Sequence, residues 1–95
     1  MIQGFADKGT AGFWSTGKSQ GMPPANLRKV AARKLQMLDA ATDIKDLEVP
    51  PGNKLEELTK ERVGQHSIRI NEKFRVCFRW HEGNAYEVEI CDYHS

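Results

Sequence analysis

Apolar residues follow two different periods along this chain. In residues 66–70, 73–80 and 85–91 they alternate with polar ones, placing Ile68, Ile70, Phe74, Val76, Phe78, Trp80, Tyr86, Val88 and Ile90 on one face of extended backbone. From Pro24 onward, Leu27, Val30, Ala31, Leu35 and Leu38 recur at intervals of three and four, which predicts a proline-started amphipathic helix of about four turns. Its polar positions, Arg28, Lys29, Arg33, Lys34 and Gln36, form a basic outer face. Residues 1–5 are a candidate short strand, 10–15 a weak helix and 16–23 a loop. Residues 42–47 read as one capped helical turn, 50–53 as a turn, 54–58 as an edge strand and 59–65 as a polar loop. These elements predict one α+β domain over residues 1–95, with helices packed on one face of a twisted antiparallel sheet.

Matching the apolar faces across each hairpin fixes a register, because opposed residues point the same way. Three-residue loops at 71–73 and 82–84 set Ile70 against Phe74, Ile68 against Val76, Phe78 against Val88 and Trp80 against Tyr86. On the other face Arg69 then opposes Arg75, Ser67 opposes Cys77, Cys77 opposes Glu89, Arg75 opposes Cys91 and Arg79 opposes Glu87. Cys77 and Cys91 come out diagonal, too far apart for an easy disulfide, and are expected as free thiols. Two arginines directly opposed repel unless an anion lies between them. Either Glu89 pairs with both, or Arg69 and Arg75 hold a phosphate.

Net charge is only +1, yet charge runs in blocks: the first 38 residues carry six basic side chains and one acidic, and residues 80–95 carry four acidic and no Lys or Arg. Such blocks give either a polarised, phosphate-binding surface or pairs within the molecule. The N-terminal residues lack the basic start and apolar run of a signal peptide, and no stretch is apolar enough to span a membrane. A cytoplasmic protein with no membrane partner is expected. The two cysteines lie in strands rather than in a Cys-x-x-Cys pair, so no metal is expected.

Several segments in order carry a resemblance: residues 33–42 of the helix, Leu47 with Pro50-Pro51-Gly52-Asn53-Lys54-Leu55, then Gly64-Gln65-His66-Ser67-Ile68-Arg69, Phe74-Arg75-Val76-Cys77-Phe78 and Asp92-Tyr93-His94. Together they resemble the HigB branch of the RelE-like toxins, ribosome-dependent mRNA endonucleases of bacterial toxin–antitoxin pairs. The resemblance implies a small RelE-like microbial ribonuclease-type fold that cuts mRNA in the ribosomal A site with no metal and no cofactor. In that chemistry the 2′-hydroxyl attacks the adjacent phosphate, a base takes its proton, an acid protonates the leaving 5′-oxygen and a cation steadies the phosphorane.

On this sequence Arg75 matches the family's strand arginine, and Asp92, Tyr93 and His94 match its terminal catalytic motif. Some relatives carry a catalytic histidine where this chain has Glu56, which is then either a base with a raised pKa or an ordinary exposed carboxylate. Candidate phosphate contacts are Arg69, Arg75 and Arg79 on the strands and Lys54, Lys60 and Arg62 on the loops, where lysines are usually just solvated. His66 is expected to pack at the start of its strand, and His81 to be solvated. The implied partners are a cognate HigA-like helix-turn-helix antitoxin, the ribosome and mRNA, with operator DNA reached only through the antitoxin. The competing reading is a weakly active or non-catalytic module that binds RNA or antitoxin without cutting.

Overall fold

The computed structural model describes residues 1–92. Helix α1 (Lys8–Thr16) is longer than the sequence pattern indicates because both of its ends are capped. The Asp7 carboxylate accepts the Thr10 N–H, and Gly17, at φ 76°, turns the chain out of the helix while its N–H bonds the Phe13 carbonyl. Pro24 precedes a single 3-10 turn, Ala25–Leu27, which leads into α2 (Arg28–Ala40). In the next 3-10 turn, Ile44–Glu48, Asp43 and Asp46 close a capping box. Bonds from the Thr42 and Asp43 N–H groups hold the Asp46 carboxyl below its usual pKa.

The sheet is four-stranded and antiparallel, in the order β1 (Glu56–Glu57), β2 (His66–Arg69), β3 (Phe74–His81) and β4 (Asn84–Asp92). The N-terminal residues make no regular strand. They lie parallel to β4 through bridges at Ile2–Ala85 and Phe5–Val88, giving β4 a neighbour on its far side. Ala31, Leu35 and Leu38 of α2 are fully buried against Ile68, Val76, Phe78 and Val88. At such a site Leu35→Ala costs about 2–5 kcal/mol. Helix α1 is fastened to β4 by a buried bond, Ile90 N–H to Thr10 Oγ1 at 3.1 Å.

The β2–β3 register is the one that face matching gives, including Arg69 opposite Arg75 and Ser67 opposite Cys77. Between β3 and β4 the match holds from Phe74 to Cys77 and then slips by one residue. The observed pairs are His81–Asn84, Trp80–Ala85 and Arg79–Tyr86, so the loop has two residues, Glu82 and Gly83, rather than three. Their φ values of 48° and 80° are those of a type I′ hairpin, whose twist suits the flanking strands. The extra residue is absorbed by a bulge at Glu87, φ 51°. Ala85 therefore takes the inward place expected for Tyr86, which is exposed, and Arg79 faces Tyr86 rather than Glu87 in the ladder.

Lys34 also departs from the expected basic outer face of α2. It is buried, and its ammonium donates to Oδ1 of buried Asn53, whose own amide donates to the Leu47 carbonyl. Burial, and then the nearby Arg33 charge, lower the Lys34 pKa. Arg28 is likewise occupied, holding Ser19 through its hydroxyl and carbonyl oxygens.

Candidate active site

The sheet face turned away from the helices carries two rungs of functional interest. Glu56, Ser67, Cys77 and Glu89 align across all four strands, and Arg69, Arg75 and Cys91 form the neighbouring rung. This face is not simply open. Ser67 and Cys77 are fully buried, although they point away from the hydrophobic core. Arg62, at the end of the 3-10 turn Lys60–Arg62, reaches across to Glu89 on β4 at 2.8 Å and also holds Gln65 at 3.0 Å. The bond to Glu89 raises the Arg62 pKa, so this guanidinium is a fixed charge spent on the fold. Glu89 is thus taken by Arg62 and pairs with neither Arg69 nor Arg75.

Arg75 is the centre of the arrangement. Its side chain is 18% exposed, its Nη1 donates to Ser67 Oγ at 3.1 Å and to the Lys54 carbonyl at 3.5 Å, and Glu56 Oε1 lies 3.7 Å away. Two neutral acceptors help fix its direction, and the Glu56 carboxylate stands at the long limit of an ion pair, on a side chain 45% exposed. Glu56 reaches Arg75 because β1 pairs Glu56 with Ser67. Lys54 contributes through its backbone, held at φ 45°, and its side chain is exposed, as is that of Lys60. Arg69 is half-buried, and its side chain makes no hydrogen bond or ion pair among the described residues.

Other candidates lie apart from this centre. Arg79 is bound to Glu87 at 2.5 Å and lies over Gly64, where a Cβ would meet its Nη1 at 2.6 Å. Asp92 shares a rung with Phe74, on the opposite side of the sheet from Arg75, and pairs with Lys73 at 3.6 Å. Tyr93 and His94 fall outside the described residues. His66 packs as expected, stacked on Phe78 with ring centroids 6.2 Å apart, and its buried Nδ1 has no hydrogen-bond partner among the described residues.

Cys77 and Cys91 are free, as expected, but not distant: their Sγ atoms lie 2.7 Å apart. Diagonal neighbours converge here because the twist and the nearby bulge bring the two side chains together. The residue that sequence reasoning missed is Ser67, the hydroxyl that orients Arg75. Its signal was a lone small polar side chain in a strand, one rung from the opposed arginines. Among the described residues no group of three or more His, Cys, Asp and Glu side chains could hold a metal. A surface hollow beside α1, lined in part by Lys8, Phe13, Lys18 and Met22, contains none of the candidate residues.

Comparison with known proteins places the chain in a family. The chain is 38% identical over 90 residues to Toxin HigB-1 of Vibrio cholerae, covering 95% of each chain. It is 33% identical over 94 residues to Endoribonuclease HigB of Proteus vulgaris, covering 99% of this chain and all of the relative. Its fold is similar to that of the YoeB–YefM complex from Staphylococcus aureus, with TM-score 0.60 at 16% identity, over 100% of this chain and 99% of that one. Residues 3–94 match the family described as the RelE-like toxin of the type II toxin–antitoxin system HigB, and the chain belongs to that family.

Proposed function

We propose that this protein is an endoribonuclease toxin that cuts mRNA in the ribosomal A site without a metal, and so halts translation and growth. The observation that carries this reading is Arg75: a guanidinium aimed by Ser67 and the Lys54 carbonyl, with the exposed Glu56 carboxylate 3.7 Å away. A scissile phosphate would displace the exposed Glu56 and meet a cation already oriented, so little reorganisation is left for the moment of reaction. As the 2′-oxygen attacks phosphorus and the 5′-oxygen leaves, Arg75 stabilises the charge that builds on the non-bridging oxygens. Arg69, on the adjacent strand of the same rung, adds positive potential.

In this reading His94 supplies the proton to the leaving oxygen, since imidazole is the group whose ordinary pKa lies nearest neutrality. Tyr93 stacks on a base or donates to the phosphate. Asp92, set away from Arg75 and paired with Lys73, anchors the strand that leads into them. Glu56 serves as the counter-ion of Arg75. The partners proposed are a HigA-like antitoxin, the ribosome and mRNA, in the cytoplasm.

The decisive experiment compares cleavage of ribosome-bound and naked mRNA by purified protein. So few catalytic groups leave RNA positioning to the ribosome, so only the bound message should be cut quickly. Equal rates on the two substrates would overturn ribosome dependence. A protein lacking His94 and Ser95 separates the enzyme from a binding module. It should fold and bind antitoxin yet lose about 100-fold or more in cleavage, and cleavage at the parental rate would remove His94 from the mechanism.

A further inference from the structure

Neither cysteine has a part in the RNA chemistry above, yet the two sulfurs stand in contact on the same face. Cys91 lies directly opposite Arg75, and Cys77 lies one rung away, between Ser67 and Glu89. Their environments differ in a way that assigns roles. Cys77 is fully buried and Cys91 is half-buried, so Cys91 is the more accessible residue of the pair. We propose that Cys77 and Cys91 form a reversible thiol–disulfide site, in which Cys91 reacts with a low-molecular-weight disulfide of the glutathione class and Cys77 resolves the adduct.

The chemistry closes without any other reagent. The Cys91 thiolate attacks one sulfur of oxidised glutathione, a Cys91–glutathione bond forms, the glutathione disulfide bond breaks, and one glutathione leaves as a thiolate. Cys77 Sγ, already 2.7 Å from Cys91 Sγ, then attacks that sulfur. The Cys77–Cys91 bond forms, the second glutathione is expelled, and the two thiol protons end on the two released glutathiones. The protein pair is oxidised and glutathione disulfide is reduced.

Electrostatics favours this order. The hydrogen bond from Cys77, assisted by the Arg62 charge, lowers the Cys91 pKa, while the same bond and burial raise that of Cys77. The product ties β3 to β4 beside Arg75. Resolution by Cys77 also clears a bulky anionic adduct from the position facing that arginine. The inference does not depend on RNA cleavage, because the bond is read directly by mass.

The test treats the native full-length chain with oxidised glutathione and follows intact mass. The parent should lose two hydrogens, retain no glutathione, and return to its starting mass with a dithiol reductant. Cys77→Ser should stop with one glutathione bound. Cys91→Ser should react at least about 10-fold more slowly, because its remaining thiol is buried. In case either variant is poorly folded, brief alkylation of the unmutated protein followed by peptide mapping should label Cys91 ahead of Cys77 by a similar factor. A parent that keeps its glutathione, a parent that does not react, or faster labelling of Cys77 would each overturn the proposal.

Discussion

Arg75 and Arg79 lie on the same strand and begin on the same face, yet the fold uses them differently. Below the bulge, Arg75 is mostly enclosed and oriented by a hydroxyl and a carbonyl, and its carboxylate partner lies 3.7 Å away. Above it, Arg79 is 47% exposed and clasped by Glu87, the bulge residue itself. A neutral acceptor directs a cation without cancelling it, whereas a close carboxylate does both. Position on a strand therefore does not decide how an arginine is held; the partners around it do.

The largest expected effect breaks this contrast at its strong end. Arg75→Ala should slow cleavage of ribosome-bound mRNA by about 100-fold or more and still melt within about 5 °C of the parent, since removing one of two opposed arginines relieves repulsion. A variant that retains cleavage, or unfolds far below the parent, would end the assignment. Glu56→Gln comes next. As a counter-ion, Glu56 can be neutralised with a change within about 10-fold and with tighter binding of inorganic phosphate. Loss of about 100-fold in a single-turnover assay would instead make it the proton acceptor. Arg79→Ala should change cleavage by no more than about 3-fold, the scale of a screened surface charge, and a loss matching that of Arg75→Ala would erase the distinction.

The smallest effect concerns Lys34. Its folded pKa is lowered, so the unfolded chain holds the proton to higher pH and folding releases it in the window just below the ordinary lysine value of about 10.4. In that window stability should rise with pH in the parent relative to Lys34→Met. Urea unfolding at several alkaline pH values measures the difference, and a parent that instead loses stability relative to the variant would show that Lys34 is not charged against its burial.

The strands and α2 were readable because their apolar periods are long enough to fix a face. The β2–β3 register followed from the same information. The bulge did not, because its signal is a backbone conformation, φ 51° at a glutamate, that residue identity does not announce. A large tyrosine also competes well with a small alanine for an inward place when only alternation is considered. Lys34 escaped because its partner, Asn53, arrives from a separate turn, and periodicity within one helix cannot report it. The Glu56–Arg75 approach was hidden for a similar reason: a two-residue strand of glutamates has no alternation from which to derive a register. The catalytic assignments to Tyr93 and His94 came from resemblance to relatives rather than from local pattern.

The placement of β4 also has a consequence for synthesis. This strand holds β3 on one side and the N-terminal segment on the other, through bonds such as Gln3 N–H to the Ala85 carbonyl and Ala6 N–H to the Val88 carbonyl, and it receives α1 through Thr10. In order of translation it follows every element it joins. A nascent chain thus lacks the seam of its own sheet until residues 84–92 have left the ribosome, and pairings across some 80 residues must wait for that moment. The rung that sets Arg75 beside Cys91 cannot assemble earlier.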